Sequence, residues 1–411
     1  MKIIVAHPSR QHSFNTAISL KKEGMLYKYI TTVYNKNTSL TGKIVSLLRG
    51  KSRKKGENRY CKELEDVDVI QFCEELGLLR LVISKFHINC PKFHVWVMER
   101  FAKKVAKYVI ENEVDGIIVF DGMAKQYLDL IKKAHPNIKI FMDVTICSRP
   151  YMKHVFEEDM ACFHHKHFYK EEPLFWNKKI EKNVVDNFTN ADYLIAPSAI
   201  VRESLLFCGI PKEKILMIPY GVSLDKFPYM QRKISDGPLK LLYMGNVSYR
   251  KGMHHLLNVL SKFSKDEVVL NIAGGYNPQE DLYQQHKHIE NINFLGFVTK
   301  DVINDVLHDS DVFVLPSLAE GLAIVILESL ASGLPVICTE RSGGNDAITN
   351  YENGIVVKAG DEEALYKAIL WMKNNREKLP ALSLKAHETA RNYTWDNYSC
   401  KLIETLKLYC K

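Results

Sequence analysis

The sequence predicts an α/β protein of two domains, each built on a parallel sheet with helices on both faces. Short apolar runs alternate with longer amphipathic stretches, which is typical of parallel sheets. The alternation forms two series, separated by a loop-like stretch at residues 223–238. A chain of 411 residues is also too long for one ordinary core. We therefore expect two doubly wound, Rossmann-like domains that face each other across a cleft.

The predicted elements follow from the length and spacing of the apolar runs. We expect a first domain over residues 1–220, a second over 221–385, and a helix over 386–411 that packs back on the first. Strands are expected at 2–6, 116–120, 138–142, 193–196 and 215–218, and then at 239–244, 268–273, 312–315, 336–338 and 355–357. Helices are expected at 15–22, 96–112 and 253–263.

Composition excludes several classes of protein. The chain is 46% apolar and 25% charged, as in ordinary globular proteins, and no apolar run approaches the roughly 18–20 residues of a membrane span. The opening run is too short for a signal peptide. Nine scattered cysteines without a CxxC pair indicate reduced thiols, so we expect a cytoplasmic protein, with the inner face of the membrane as an alternative.

The positive charge is concentrated in the first half. Residues 1–220 hold 35 Lys and Arg against 25 Asp and Glu, and residues 221–411 hold 21 against 23. Nucleic acid, an anionic membrane or an acidic substrate could each explain this excess. The most basic segment, residues 43–59 from Lys43 to Arg59, is either a solvated loop or a surface for anionic lipid headgroups.

The segment AEGLAIVILESLASGLP carries two acids in an apolar setting. Residues 312–316 are predicted as a strand, 322–332 as a helix ending at Gly333, and 336–338 as the next strand. Glu320 thus precedes a helix N-terminus at the carboxyl end of a strand, where open α/β sheets bind ligands and phosphates. Gly321 permits close approach of the backbone.

Glu328 lies eight residues further along the predicted helix. If helical geometry reached both acids they would lie about 12 Å apart along the axis, comparable to the span from a sugar across a diphosphate to a ribose. A carboxylate there needs donors, which ribose hydroxyls would supply. Taken alone, Glu320 as a helix cap and Glu328 as an ion-pair partner is the simpler interpretation.

The run PSLAEGLAIVILESLASGLPVICTERSGG closely resembles the E-x7-E segment of GT-B glycosyltransferases of the retaining family 4 type, glycosyl transferases group 1. The runs YLIAPS, IPYGV, LNIAGG and NFLGFV also resemble that family, so the resemblance is specific from about residue 192 to 367 and looser before it. It implies the GT-B fold, with an acceptor-side first domain and a second domain that binds a nucleotide sugar. It also implies that the donor is UDP- or GDP-linked.

The resemblance implies roles for individual residues. Glu320 would contact the donor sugar and Glu328 the ribose, and the amides following Glu320 would contact the diphosphate. In LLYMGNVSYRKG, a glycine and a Lys-Gly pair match the family's phosphate motif, but Asn246 stands where the family has arginine, and Arg250 is a candidate replacement. The expected donor-binding residues are Gly245, Asn246, Arg250, Lys251, Leu295, Phe297, Glu320, Gly321, Leu322, Ala323 and Glu328.

Two loops of the first domain are expected to face the acceptor. The first, HPSRQHSFN, has no glycine pair of the usual kind and offers Arg10, Gln11 and His12 as donors; a plain polar loop is the alternative. The second follows the strand at 138–142 and offers Asp143, with Arg149 beyond it. The expected catalytic residues are Glu320, Lys251 and Asp143.

Metal and cofactor motifs are weak or absent. The triplets at 66–68 and 309–311 have the DxD pattern, but each precedes an apolar run, so we expect element starts and not metal sites. His164, His165 and His167 favour a hydrated polar stretch over a metal site. No GxGxxG or GxxxxGK[ST] occurs, which argues against a nicotinamide enzyme or a P-loop kinase. We expect no metal and no cofactor besides the donor substrate.

The predicted activity is retaining transfer of a sugar from a nucleotide diphosphate to a glycan or lipid-linked acceptor, in cell-surface polysaccharide or lipopolysaccharide synthesis. A non-catalytic sugar-nucleotide-binding protein of the same fold is the alternative. Nucleic-acid binding ranks last, because the basic half shows no aromatic interleaving or known motif.

Overall fold

The structure is a computed structural model that describes residues 1–9, 11–85, 90–121, 123–171, 173–176, 178–234, 236–299 and 302–410. Its first sheet has seven parallel strands and its second has six. The strands of the first sheet are β1 (Ile3–Ala6), β2 (Leu26–Thr31), β3 (Val69–Gln71), β4 (Gly116–Phe120), β5 (Lys139–Asp143), β6 (Tyr193–Ala196) and β7 (Ile215–Met217). Those of the second are β8 (Leu239–Met244), β9 (Val268–Ala273), β10 (Ile292–Gly296), β11 (Val312–Leu315), β12 (Val336–Thr339) and β13 (Gly354–Val357).

Helices cover the sheets. In the first domain they are α1 (Ser13–Lys22), α2 (Leu40–Leu47), α3 (Gly50–Glu57), α4 (Glu74–Lys85), α5 (Pro91–Ile110), α6 (Lys125–Ala134), α7 (Arg149–Cys162), α8 (His167–Glu171), α9 (Lys178–Asn190) and α10 (Ala199–Phe207). The rest are α11 (Met253–Leu260), α12 (Asp281–His286), α13 (Ile303–His308), α14 (Ile324–Ala331), α15 (Glu362–Asn374), α16 (Leu379–Ala390) and α17 (Trp395–Tyr409). Within the described ranges, we find no helix with the length and apolarity that a bilayer crossing requires.

Strand order confirms the prediction of two doubly wound sheets. The first sheet has the order β3-β2-β1-β4-β5-β6-β7 and the second β10-β9-β8-β11-β12-β13. In each sheet the order reverses beside the strand that begins the domain, between β1 and β4 and between β8 and β11. Ligands of open α/β sheets bind at such reversals, outside the carboxyl ends of the strands. Each domain therefore offers one crevice.

The C-terminal helix belongs to the first domain. Helix α16 packs on α14 of the second domain, whereas α17 packs on α1. Between them Thr394 forms a parallel bridge with Val222 of the linker, and the Thr16 and Tyr398 hydroxyls form a buried hydrogen bond of 2.9 Å. The predicted boundary after residue 385 lies inside α16, so the crossing falls at residues 391–394, after that helix has completed its packing.

The linker between the domains is fixed by one buried arginine. Arg232 is 3% exposed, and its guanidinium donates to carbonyl oxygens at the ends of α13 and α14. Helix C-termini leave such carbonyls without partners inside the helix. The acceptors are Leu307, His308, Ser310, Ser332 and Gly333.

The basic segment at residues 43–59 is not a loop. It contains most of α2 and all of α3, which pack against each other. Ser39 caps α2 by accepting a hydrogen bond from the Gly42 amide. Leu47, at the end of α2, is 82% exposed. The two helices thus present a basic surface with an exposed apolar residue at its edge.

Candidate active site

A cavity of about 810 Å³ lies between the two domains at the carboxyl ends of both sheets. The first domain, the linker and α17 form one wall, and the second domain forms the other. The lining residues are Gln11, His12, Asn15, Gly221, Val222, Ser223, Asp225, Lys226, Phe227, Met244, Gly245, Asn246, Ala273, Gly274, Gly275, Phe297, Val298, Ile303, Asn304, Ile324, Val325, Glu328 and Trp395. The crevices at the two strand-order reversals therefore open into this one cavity.

Glycines allow the two turns that form the second-domain wall, after β8 and β9, to approach each other closely. A Cβ at Gly274 would lie 1.7 Å from the carbonyl oxygen of Gly245, so the turns after β8 and β9 could not approach each other with larger residues. Gly245 itself has a φ of 150°, where residues other than glycine are strained. Asn246 is exposed beside it. A ligand can approach the main chain here directly.

Glu328 and Phe297 lie on the same cavity wall. Glu328 is half-buried in the middle of α14, next to Ile324 and Val325. Phe297 follows β10 and is 76% exposed, with the Lys55 ammonium of α3 5.6 Å from its ring centre. Leu295, in contrast, is 45% exposed and is not part of the cavity lining.

Glu320 is buried beside two cations. The residue is 8% exposed, and its Oε1 lies 2.5 Å from Lys251 Nζ and accepts a 2.8 Å hydrogen bond from Arg250 Nη1. Arg250 also donates to the carbonyl oxygen of Ala319. One carboxylate against two cations leaves this cluster with a net positive charge. None of these residues is part of the cavity lining.

Gly252 sets the position of Lys251. It stands at the N-terminal end of α11 with a φ of 66°, and a Cβ there would lie 2.0 Å from the carbonyl oxygen of Pro316. Only glycine lets the turn before α11 press against the end of β11 in this way. The Arg250–Lys251 pair is thereby held against the loop that carries Glu320.

The loop around Glu320 is bonded to the first domain. The carbonyl oxygen of Glu320 accepts hydrogen bonds from the amide and the thiol of Cys147, at 3.2 and 2.8 Å. Ser198 donates to the carbonyl oxygen of Gly321. A Cβ at Gly321 would lie 2.0 Å from the carbonyl oxygen of Thr145. Gly321 thus lets the loop approach the backbone of the other domain, whereas the sequence predicts close approach to a ligand.

The following residues complete that loop. Leu322 is buried, and the amide of Ala323 donates to the Ser342 carbonyl oxygen at 3.3 Å. Helix α14 begins at Ile324, two residues later than predicted. Glu320 is therefore outside the helix, and the helical spacing between the two glutamates does not apply. Gly333 ends the helix with a φ of 78°, as predicted.

In the first domain, Asp143 lies behind His12. Asp143 ends β5 and is fully buried, and its Oδ2 accepts a 2.8 Å hydrogen bond from His12 Nε2. Its Oδ1 accepts a 2.7 Å bond from the Tyr220 hydroxyl. Burial raises the pKa of Tyr220 well above its usual value, so the phenol stays protonated and donates. His12 lines the cavity, with the Trp395 ring nearly parallel to its own.

Two further titratable residues lie near this point. Burial lowers the pKa of His7, after β1, to about 4. Desolvation raises the pKa of Asp121, after β4, to about 6, despite a hydrogen bond from Thr145. The sequence analysis did not select either one. Their positions in the sequence could have identified them, because both residues directly follow an apolar strand beside the strand-order reversal.

The remaining candidates are dispersed. Gln11 lines the cavity, whereas Arg10 is outside the described residues. Arg149 opens α7 and is not part of the lining; its guanidinium carbon lies 4.7 Å from the centre of the Phe175 ring. The expectation of a hydrated histidine stretch is wrong for His165. That side chain is 11% exposed and donates to Asp159, because α7 ends against the second domain.

The predicted DxD triplets are engaged in ordinary contacts. Asp68 lies in a turn before β3 and pairs with Lys21 at 2.6 Å. Asp309 pairs with the Lys240 ammonium, and Asp311 accepts from the Lys240 amide, before β11.

Part of the chain matches the model of a known protein family. The model of the family described as glycosyl transferases group 1 matches residues 229–389. Glycogen synthase of Mycobacterium tuberculosis is 27% identical over 222 residues, which cover 52% of this chain and 52% of that protein. Alpha-galactosylglucosyldiacylglycerol synthase of Streptococcus pneumoniae is 27% identical over 239 residues, 54% of this chain and 62% of that protein. The chain thus spans about half to three-fifths of the length of these relatives.

The similarity in structure extends over the whole chain. The crystal structure of Anabaena HepE in complex with UDP superposes with a TM-score of 0.65, covering 99% of this chain and 100% of that one at 16% identity. This likeness confirms the predicted GT-B architecture of two parallel sheets. The chain has the fold of the GT-B glycosyltransferases, and its residues 229–389 match the model of the glycosyl transferases group 1 family.

Proposed function

We propose that this protein transfers a sugar from a nucleotide-diphosphate sugar to a glycan or lipid-linked acceptor, with retention at the anomeric carbon. The observation that carries the proposal is the cavity of about 810 Å³ between the domains. It joins Glu328 and the glycine-rich wall on the donor side to His12 on the acceptor side. The cationic cluster around Glu320 adjoins the same strand ends.

UDP- and GDP-sugars are the proposed donors. The HepE structure contains UDP, and the second-domain wall of the cavity here offers backbone around Gly245 and Gly274, with Glu328 in the same lining. A ribose beside Glu328 would give its carboxylate two hydroxyl donors. Phe297 and Val298, after β10, would then face the base.

Charge stabilisation is the main contribution that the proposed mechanism requires of the protein. A departing nucleoside diphosphate accumulates negative charge, and preorganised cations at that point lower the barrier. Lys251 and Arg250 are held in place by Glu320 and Gly252. In this proposal the departing phosphate accepts the acceptor's proton, so that no metal is needed for the transfer step. Glu320 would meet the sugar hydroxyls.

Asp143 is proposed to act through His12. Its carboxylate is fully buried, so it cannot meet the acceptor itself, but it fixes Nε2 of His12 as the proton-bearing nitrogen. The Tyr220 hydroxyl holds the other carboxylate oxygen. These contacts would hold the His12 imidazole in a fixed orientation towards the acceptor side of the cavity, which is the kind of positioning that favours a reaction.

The first-domain surface of α2 and α3 is the proposed contact with an anionic membrane at the cytoplasmic face. Lys43, Ile44, Leu47 and Arg49 are all exposed there, and basic side chains beside apolar ones favour anionic headgroups. A Leu47→Ser/Arg49→Ser protein should co-sediment less with phosphatidylglycerol vesicles than the wild type. Equal sedimentation of both, or equal binding to phosphatidylcholine, would exclude this surface.

A donor panel tests the activity. UDP-, GDP- and ADP-sugars are screened by thermal shift and by slow donor hydrolysis, and the anomeric configuration of a released sugar is read by NMR. We expect one nucleotide class to stabilise and be cleaved with retention. Glu328→Ala should weaken both, whereas Glu363→Ala, on the exposed face of α15, should change neither. Stabilisation without turnover by any donor or acceptor would favour the non-catalytic alternative.

A further inference from the structure

Four side chains from both domains meet away from the cavity. Asp159 on α7 and His165 in the turn after it belong to the first domain. His254 and His255, near the start of α11, belong to the second. No part of the proposed transfer site uses them, and none lines the cavity.

The Asp159 carboxylate is the centre of this cluster. Its Oδ2 lies 2.9 Å from His165 Nε2 and 3.0 Å from His254 Nε2, and its Oδ1 lies 2.8 Å from His255 Nε2. All four side chains are at most 11% exposed. Three imidazoles around one carboxylate form an unusually dense set of metal-ligating atoms for a protein interior.

His255 has a different role from the other two histidines. Its Nδ1 lies 3.2 Å from Glu362 Oε1, so a carboxylate faces each of its ring nitrogens. His255 therefore bridges two carboxylates and holds Asp159 in position, a contact of the kind that orients metal ligands.

His254 is suited to ligation. Its side chain is 9% exposed, and its Nε2 faces the same carboxylate oxygen that His165 Nε2 contacts from the other domain. The buried Nδ1 of His254 has no hydrogen-bond partner among the described residues. The hydrogen bonds within the cluster therefore do not satisfy every buried nitrogen atom of these histidines.

We propose that Asp159, His165 and His254 bind a divalent transition-metal ion of the zinc class across the domain interface. One donor atom from each residue lies within 4.8 Å of the other two, and bonds of about 2.0–2.2 Å to Zn²⁺ require only small shifts of the side chains. Two imidazoles and a carboxylate suit zinc, cobalt or nickel better than calcium or magnesium. A water molecule would take the fourth position.

The bound ion would hold the two domains together. Two ligands come from the first domain and one from the second, so separation of the domains breaks the coordination. Metal binding should therefore favour the closed arrangement and stabilise the folded protein. Because none of the three ligands is part of the cavity lining, metal binding can be measured in the absence of a donor.

The test uses the untagged full-length protein, stripped with a chelator and titrated with Co²⁺. We expect one equivalent to bind, with the visible absorption of a tetrahedral site and no thiolate charge-transfer band. His165→Asn and His254→Ala should each abolish this absorption. His154→Ala, which removes an exposed histidine from the same helix, and Cys162→Ser, which removes the exposed thiol nearest in sequence, should retain it.

Stability provides the second measurement. At a free Zn²⁺ concentration of 100 times the dissociation constant, the folding equilibrium of the wild type should shift about 100-fold, and that of His165→Asn should not shift. His165 lies in a turn, and far-UV circular dichroism verifies that this variant folds. Absence of Co²⁺ binding by the wild type, or equal binding by wild type and His165→Asn, would overturn the proposal.

Discussion

Replacing Glu320 with glutamine removes the negative charge that two neighbouring cations share. The amide has almost the same shape, but Lys251 and Arg250 would face each other without a counter-charge. Removing one partner of a fully buried ion pair costs about 3–5 kcal/mol. Here the lysine and arginine side chains are 16% and 23% exposed. Partial screening by solvent therefore reduces the expected loss of unfolding free energy to about 2–3 kcal/mol.

The same substitution, which lowers stability, should not weaken nucleotide binding and should instead favour it. A diphosphate would supply the missing negative charge, so Glu320→Gln should bind UDP at least as tightly as the wild type, although the proposed sugar contact is lost. Urea denaturation without UDP measures the loss of stability, and denaturation with UDP measures nucleotide binding. Transfer activity should fall sharply. Stabilisation by UDP should consequently be larger in the variant.

Glu363→Gln is the matched control. Glu363 and Lys367 form an exposed pair at 3.3 Å on α15, and such pairs contribute less than about 0.5 kcal/mol. If Glu320→Gln destabilised the protein as little as this control does, Glu320 would not balance the two cations. If it bound UDP more weakly than the wild type, the cations would not face the diphosphate.

Three other outcomes are expected. Arg232→Met should lower the free energy of unfolding by about 3 kcal/mol, because several buried carbonyls lose a charged donor; a loss under about 1 kcal/mol in urea would contradict this. Tyr398→Phe should cost about 1 kcal/mol by removing the buried hydroxyl pair with Thr16, with Thr16→Val giving no further loss in the double variant. The stability that His7 contributes should be lost from pH 6.5 to pH 4, since unfolded histidine takes up a proton near 6.5 while His7 resists until about 4; this contribution is up to about 3 kcal/mol, and the difference between the denaturation profiles of the wild type and His7→Asn measures it.

The sequence predicts most accurately the strands in the interior of each sheet, which helices cover on both faces. The strands at 116–120, 193–196, 239–244, 268–273 and 312–315 were predicted with their observed bounds, since central parallel strands are nearly continuous apolar runs. Strands β2 and β3 were missed. Leu26–Thr31 mixes tyrosine and lysine with apolar residues, and Val69–Gln71 has only three residues at the sheet edge.

The sequence predicts the positions of the candidate residues relative to the strands. Glu320, Glu328 and the Arg250–Lys251 pair follow strands β11 and β8 as predicted, although of these only Glu328 is part of the cavity lining. The cluster around Asp159 was not predictable, because 95 residues separate Asp159 from His254. Spacing alone carries no information on ligands that come from different domains.

The contacts of the Glu320 loop connect the chemistry to domain closure. Cys147 and Ser198, both in the first domain, donate to successive carbonyl oxygens of the loop that positions Glu320. Separation of the domains would release that loop and, with it, the counter-charge that orders Lys251 and Arg250. The cations would then be held in place only when the domains are closed around their substrates. In the proposed transfer reaction, such an arrangement would limit donor hydrolysis, because the charge-stabilising groups and the water-excluding cavity would form in the same movement.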